Sequence, residues 1–471
     1  MNTAAANKNI QPTLIVGLGA TGLSLARFLA RQGEPFEVVD SREDPPGLDA
    51  LRAEWPRTRV ALGAFDRRRF LRARRLVVSP GVPVNDPAVA AAVAAGAECV
   101  GDIELFARAV DAPVIAITGS NGKSTVTELV AAMLQECGLE ARAGGNLGPP
   151  ALDLLAAADT APDFYVLELS SFQLETTDSL RPAAAVVLNL SADHLDRYAD
   201  MGAYASAKAR IYSGARVAVV NRDDAAAARL HRGAGSVIGF TLGEPGDDRA
   251  GSDPAASVPS ASVPSGGDDF GVRSIDGREW LVHGDRRLLP ADEVGLPGLH
   301  NRANVLAALA LVTAVGADPA RAARVAAGFT GLAHRMQRIA AADGITWYDD
   351  SKGTNVGATV AALRGHPAPV VLIAGGDGKG ADFAPLAAAV AERARAVVLF
   401  GRDAPAIATA IGDCVPVECV ADLDAAVERA SAHAQPGDSV VLSPACASFD
   451  MFRDYRERGE AFAAAVRRLL A

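Results

Sequence analysis

The segment Thr118-Gly119-Ser120-Asn121-Gly122-Lys123-Ser124-Thr125 constrains the fold more than any other part of the chain. It joins the apolar run Pro113 to Ile117 to a stretch in which Val126, Leu129, Val130, Met133, Leu134 and Cys137 recur at helical spacing. The pattern therefore reads as strand, glycine-rich turn and helix with one apolar face. Small residues in such a turn let backbone N–H groups approach phosphate oxygens at the positive end of a helix. Lys123 adds a point charge, and the Ser124 hydroxyl can ligate Mg²⁺. The turn departs from the general phosphate-loop pattern, because Ile117 stands where the first spaced glycine would be. Strand patterns at Tyr165 to Leu169, Ala185 to Leu190 and Val217 to Asn221, separated by helical stretches, predict a parallel sheet around this loop.

At 471 residues the chain exceeds one ordinary core. Upstream, Leu14-Ile15-Val16 runs into Gly17-Leu18-Gly19-Ala20-Thr21-Gly22, and a second strand, Phe36 to Val39, ends in Asp40. This is the GxGxxG turn of a Rossmann-like unit; by itself it indicates NAD or another nucleotide diphosphate. Downstream of a hinge at Gly328 to Gly331, strands at Ile345 to Tyr348, Pro369 to Ala374, Ala396 to Phe400 and Ser439 to Leu442 alternate with Ala-rich helices. The predicted fold class is α/β in three domains: Rossmann-like over 1–108, a central P-loop-type ATPase domain with a parallel sheet over 109–330, and a C-terminal Rossmann-like α/β domain over 331–471. Within the second, residues 243–271 are rich in Gly, Ser, Pro and Asp and cannot bury enough apolar surface to offset their ordering entropy, so a flexible insertion is expected there. Short strands around Trp280 to Val282 and Arg287 to Leu289 and a helix from Asn304 to Val315 are expected after it.

Forty-six basic against 56 acidic side chains give a formal net charge of −10, which argues against a nucleic-acid partner. The Arg67, Arg68, Arg69, Arg72, Arg74 and Arg75 run reads as a solvated helix face. The five cysteines lack the spacing of a zinc site or a disulfide framework and read as reduced thiols. No stretch of about 18 apolar residues is uninterrupted, so no membrane span is expected. The first twelve residues lack the apolar core of a signal peptide, and the expected compartment is the cytoplasm.

Glu168 falls at the C-terminal end of its strand, where open α/β sheets place ligand-binding groups, and a carboxylate there could hold Mg²⁺. Asp193-His194-Leu195-Asp196 follows the next strand, which makes His194 a candidate metal or substrate ligand. Lys208, Lys352 and Lys379 stand out in a chain that otherwise uses Arg. The turns Asp349 to Asn355 and Gly375 to Gly380 each follow an apolar strand and read as ligand-facing loops. From the residues alone, an ATP-dependent ligase, an NAD-dependent oxidoreductase and a nucleotide-regulated binding protein remain open; the oxidoreductase leaves Lys123 and Glu168 without a task.

In their order these motifs resemble the Mur ligases, the amide-forming enzymes of peptidoglycan synthesis, over essentially the whole chain outside 243–271. The Thr118 to Ser124 loop is shared with folylpolyglutamate synthases, against which the GxGxxG unit argues. Within the family, Leu167-Glu168-Leu169-Ser170-Ser171-Phe172-Gln173-Leu174, Asp193-His194-Leu195-Asp196-Arg197 and Leu442-Ser443-Pro444-Ala445-Cys446-Ala447-Ser448 look like the members that add D-glutamate to UDP-N-acetylmuramoyl-L-alanine; a sibling adding another amino acid is the alternative. The resemblance implies that Gly19, Ala20, Thr21, Asp40, Ser41, Arg42, Ser79, Pro80 and Gly81 hold the UDP-sugar, with Asn146 and His194 contacting substrate or metal. It implies ATP contacts at Gly119, Ser120, Asn121, Gly122, Lys123, Ser124, Thr125, Asn304, Arg335 and Asp350. The metal ligands would be Ser124, Glu168, His194 and Lys208, the last as a carbamate. Lys123, His194 and Lys208 would serve catalysis, and Lys352, Thr354, Lys379, Ser448, Phe449 and Tyr455 would form the D-glutamate pocket. ATP and Mg²⁺ are the implied cofactors, and a monomer is expected.

Overall fold

The computed structural model describes residues 12–156, 160–194, 197–232, 234–245, 269–296, 298–366 and 368–470. The chain folds around three open sheets. The first contains β1 (Thr13–Val16), β2 (Phe36–Asp40), β3 (Val60–Leu62), β4 (Arg75–Val78) and β5 (Glu98–Val100), ordered β3-β2-β1-β4-β5 and parallel throughout. The strand order reverses between β1 and β4, so the crevice for a ligand opens where Gly17 to Gly22 and Ser79 to Gly81 leave those strands. The turn is tight: a Cβ at Gly22 would lie 2.1 Å from the Gly17 carbonyl oxygen.

The second sheet is built from β6 (Val114–Thr118), β7 (Ala141–Gly145), β8 (Phe164–Glu168), β9 (Ala184–Val187), β10 (Val217–Asn221), β11 (Ser236–Phe240), β12 (Phe270–Ile275), β13 (Arg278–His283) and β14 (Arg286–Pro290). Their order is β14-β13-β12-β11-β10-β9-β6-β8-β7. The strands from β7 to β11 are parallel and Val- and Ala-rich; those at the centre are buried on both faces, as strands covered by helices on two sides must be. The antiparallel meander β12 to β14 extends one edge. β6 sits between β8 and β9, so the loop after it is flanked by the carboxyl ends of both.

The third sheet contains β15 (Gln337–Ala342), β16 (Ile345–Asp349), β17 (Val370–Gly375), β18 (Ala394–Phe400), β19 (Val417–Cys419) and β20 (Ser439–Leu442), ordered β15-β16-β20-β17-β18-β19. Only the β15–β16 pair is antiparallel. The second and third sheets are each covered by apolar clusters on both faces. One cluster runs from Ile15, Leu25 and Val38 in the first unit to Leu152, Leu154 and Val187 in the second, so these two units share a core.

Three expectations are corrected. The helix expected from Asn304 spans Leu299–Ala314, because its first turn carries the polar His300, Asn301 and Arg302 and so hides the apolar period. The arginine run is not one helix face. Only Arg67–Phe70 is helical, while Arg74 precedes β4 and Arg75 opens it; both pair with Glu34, and Arg75 also with Glu98. The insertion expected over 243–271 lies outside the described residues for 246–268; its last residues are structural, with Asp269 buried against Arg222 and Phe270 opening β12.

Candidate active site

The loop after β6 is shaped by Gly119 at φ +154° and Gly122 at φ +81°, conformations that side chains rarely adopt. It enters the helix Lys123–Glu136. A Cβ at Gly122 would stand 2.5 Å from Asn304 Oδ1, so the glycine lets the loop press against the helix that carries Asn304. Asn121 N–H donates to Asn189 Oδ1 at 2.8 Å and Asn189 Nδ2 donates back to Asn121 O at 3.1 Å, pinning the loop to the segment after β9. Lys123 Nζ donates to the Gly119 and Ser120 carbonyls at 2.8 Å each, and burial holds its pKa below that of a free lysine.

Beside the loop, the Ser124 hydroxyl donates to Glu168 Oε2 at 2.5 Å, and Asn146 Nδ2 donates to Glu168 Oε1 at 2.6 Å. Arg335, from the third unit, donates through Nη2 to Ser124 Oγ at 2.8 Å. Glu168 is only 2% exposed. Burial pushes its pKa up, but the Lys123 charge and the Ser124 and Asn146 hydrogen bonds outweigh this and keep it ionised. The resulting donor set is hard oxygen: a hydroxyl and an anionic carboxylate. Among the described residues no three His, Cys, Asp or Glu side chains gather as a metal cage. A Ser–Glu pair next to a phosphate loop fits Mg²⁺, which takes few protein ligands and completes its shell with phosphate and water.

Lys208, on the helix Met201–Ala209, is buried and donates to Gly119 O at 2.9 Å, with its Nζ 4.7 Å from the Tyr204 ring centroid. Desolvation, reinforced by the Lys123 charge, drives its pKa well down and favours the neutral amine. His194 adopts φ +57° and packs edge-on against Phe172, with ring centroids 4.7 Å apart. Burial lowers its pKa too, although Asp193 opposes the shift.

Two cavities flank the loop. One, of about 330 Å³, is lined by Asn121, Gly122 and Thr125 together with Asn304, Arg335 and Asp350. The other, of about 390 Å³, gathers Ser120, Lys123, Asn146, Glu168, His194 and Lys208 from the second unit; from the third it takes Lys352, Thr354, Lys379, Ser448, Phe449 and Tyr455. The groups expected to hold phosphate and amino acid therefore meet in one space. Asp350 accepts from the Ser443 hydroxyl at 2.8 Å, and burial raises its pKa to about 7. Lys352 Nζ lies 3.8 Å from the Tyr455 ring centroid, and burial lowers its pKa to about 8. Phe449 is 68% exposed at the mouth.

The residues expected to hold the UDP-sugar stand apart, at the carboxyl edge of the first sheet. Gly19 precedes the helix Ala20–Arg31, whose first turn carries Ala20 and Thr21. Asp40, expected to face the ligand, is turned inward: its carboxylate accepts from the Leu18 N–H at 2.6 Å, the Arg42 N–H at 2.9 Å and the Arg42 guanidinium at 2.7 and 2.8 Å. It shapes the glycine turn and orients Arg42. Ser79 donates to Gly17 O at 3.0 Å, and Pro80 O accepts from Arg197 Nη1 at 2.9 Å. Ser41 and Gly81 line a shallow pocket with Phe65 and Arg67. A further pocket, lined by Gly81, Phe172, His194, Arg197 and Lys379, connects this edge to the phosphate cavity.

Sequence reasoning missed several members of this arrangement. Arg197 bridges the first and second units through Pro80 and lies 4.1 Å over the Phe172 ring. Tyr204 meets the Ser120 hydroxyl at 3.2 Å, and Asn189 clamps the loop. Arg197 closes a motif that was quoted, so its position was a usable signal; Asn189 and Tyr204 carried none.

Comparison with known proteins gives the family. Residues 11–101 match the N-terminal domain of MurD-like Mur ligases, residues 117–312 the Mur ligase middle domain, and residues 334–446 the Mur ligase glutamate ligase domain. The UDP-N-acetylmuramoylalanine--D-glutamate ligase of Nitrosococcus oceani is 50% identical, with 99% of each chain covered. The enzyme of the same name from Pseudomonas aeruginosa is 49% identical over 97% of this chain and 98% of its own. The solved UDP-N-acetylmuramate-alanine ligase of Thermotoga maritima shares the fold, with a TM-score of 0.58 at 16% identity over 97% of this chain and 99% of that one. With a glycine-rich loop set between a buried acid and a buried lysine, and all three family domains present in order, the chain belongs to the Mur ligase family.

Proposed function

We propose that this protein joins D-glutamate to UDP-N-acetylmuramoyl-L-alanine, using ATP, in the synthesis of peptidoglycan precursors. The observation that carries the reading is the cavity in which Lys123, Glu168 and His194 face Lys352, Thr354 and Lys379, in a chain half identical over its length to ligases of that name. Residues 1–108 would seat the nucleotide sugar, 109–330 the ATP and 331–471 the amino acid, acting as a monomer in the cytoplasm.

ATP and the nucleotide sugar are substrates here. The loop N–H groups and Lys123 hold the phosphates and disperse charge on the transferring oxygens. The substrate carboxylate forms a bond to the γ-phosphorus as the bond to the bridging oxygen breaks, giving an acyl phosphate and ADP. Ser124 and Glu168 would hold Mg²⁺, with Lys208 as a further ligand once carbamylated; the ion supplies charge neutralisation at the phosphates. Lys352, in the third unit, pairs with a carboxylate of D-glutamate and aims its nitrogen at the acyl carbon. That nitrogen bonds to carbon, phosphate departs, and the amine proton passes to a base. His194, held neutral by burial, lies in the cavity to receive it. Closing the two units over the acyl phosphate excludes water that would hydrolyse it.

The test supplies purified protein with ATP, Mg²⁺ and UDP-N-acetylmuramoyl-L-alanine and measures phosphate release with D-Glu, L-Glu, L-Ala or meso-diaminopimelate. Release with D-Glu alone is expected. Release with another amino acid instead would assign a sibling activity, and none with any would refute the ligase reading.

A further inference from the structure

We propose that Asn355 is a positioning residue that latches the amino-acid-binding segment to the phosphate loop, so that ATP and the amino acid each strengthen the other's binding. The inference rests on the ligase reading and adds the coupling between its sites.

Asn355 follows Thr354 directly and caps the helix Val356–Gly365, its Oδ1 accepting from the Ala358 N–H at 2.8 Å. That bond fixes the orientation of the planar amide, because the oxygen is committed to the helix and the NH₂ must face the other way. There Nδ2 donates to Asn121 Oδ1 at 3.3 Å and to Asp193 Oδ2 at 3.2 Å. The Asn121 amide is itself oriented, since its Nδ2 donates to Ser191 Oγ at 3.3 Å and leaves its oxygen for Asn355. One 8% exposed side chain thus joins the helix start of the third unit, the phosphate loop and the segment carrying His194.

The helix start lies close to the same segment. A Cβ at Gly357 would come 2.8 Å from Ser191 Oγ, so a larger residue there would push the two apart. Lys352 and Thr354 precede the latch by a few residues, and any shift of the third unit that breaks it also moves them. A contact made only when the units are docked biases docking. Ligands that each require docking must then favour one another by the same factor, as linkage demands.

Replacement variants separate latch from cap. Asn355→Asp and Asn355→Ser both keep a side-chain oxygen for the Ala358 N–H and lose the amide donor; Asn355→Ala loses both. In the full-length enzyme, the Asp and Ser variants are expected to melt like the parent. Their KM values for both ATP and D-Glu should rise about tenfold, the scale of one hydrogen bond to a charged group. The KM for the nucleotide sugar should stay unchanged, and the parent run alongside reports separately on the ligase reading. Two outcomes overturn the latch. If Asp and Ser variants both match the parent while Ala fails, Asn355 is only a cap. If Ser matches and Asp fails, repulsion from Asp193 is the cause and the donor is dispensable. Should the Asp variant prove unstable, the Ser variant decides alone.

Discussion

Arg335 of the third unit donates to the Ser124 hydroxyl of the second at 2.8 Å, the same hydroxyl that donates to Glu168. A guanidinium from the third unit thus adjoins the proposed metal and phosphate ligands of the second. Arg335→Ala is expected to lower kcat by about 10²-fold or more, the scale of losing one preorganised charge at a transferring phosphoryl group. Binding of the nucleotide sugar, measured by calorimetry, should be unaffected. Unchanged turnover would show that the contact is only structural.

Lys208 is buried, and desolvation drives its pKa well down, towards the neutral amine that reacts with CO₂ to give a carbamate and a proton. Protein exchanged into buffer containing ¹³C-bicarbonate should show a carbamate resonance in its carbon NMR spectrum, absent from Lys208→Arg. The arginine variant should also lose most activity, because it restores a fixed cation beside Lys123 where the reaction calls for an anion.

Lys352 titrates at about 8 because burial disfavours its charge, against 10.5 for an ordinary lysine. A folded pKa below the unfolded one means that folding expels a proton between these values, so this lysine's cost to stability is largest below pH 8 and fades as pH rises towards 10.5. Its effect on binding has the opposite sense: the cation that pairs with D-glutamate is lost above about pH 8. The kcat/KM for D-Glu in Lys352→Arg, divided by that of the parent, should rise with pH across this range. The ratio cancels the titration of the substrate amine; a flat ratio would exclude Lys352 from the pocket.

Gly22→Ala would drive a methyl group to 2.1 Å from the Gly17 carbonyl oxygen, closer than atoms tolerate. The first unit should lose its tight turn. Affinity for the nucleotide sugar should collapse and the melting temperature fall, while a non-hydrolysable ATP analogue still binds the second unit. Parent-like sugar affinity would mean that the crevice lies elsewhere.

The parts of this site that the sequence revealed are those whose chemistry is local. A glycine turn between strand and helix marks Lys123 and Ser124, and a strand end marks Glu168. The remainder depends on partners far away in the chain. Asn189 meets Asn121 across 68 positions and Asn355 meets it across 234, and nothing in a single asparagine tells which loop it will face. At Asp40, likewise, the sequence shows a strand end but not that the Leu18 N–H and Arg42 engage its oxygens. The start of the helix Leu299–Ala314 was hidden because its polar first turn faces the cavity lined by Asn121, Asn304 and Asp350.

The joint between the first two units differs in kind from the one that closes the site. At the former, Asp102 accepts from Gln173 at 3.0 Å, and Glu104 accepts from the Asp178 and Ser179 N–H groups at 2.7 and 2.8 Å, so two buried carboxylates hold the short helix Ser171–Glu175 and the turn that follows it. Pulling these apart would break three hydrogen bonds and expose the apolar core that the two units share. At the latter the contacts are amides, a hydroxyl and partly wetted charges that water can replace. A shift of the third unit against the other two therefore breaks polar contacts that solvent can remake, whereas a shift of the first against the second would also open a shared apolar core.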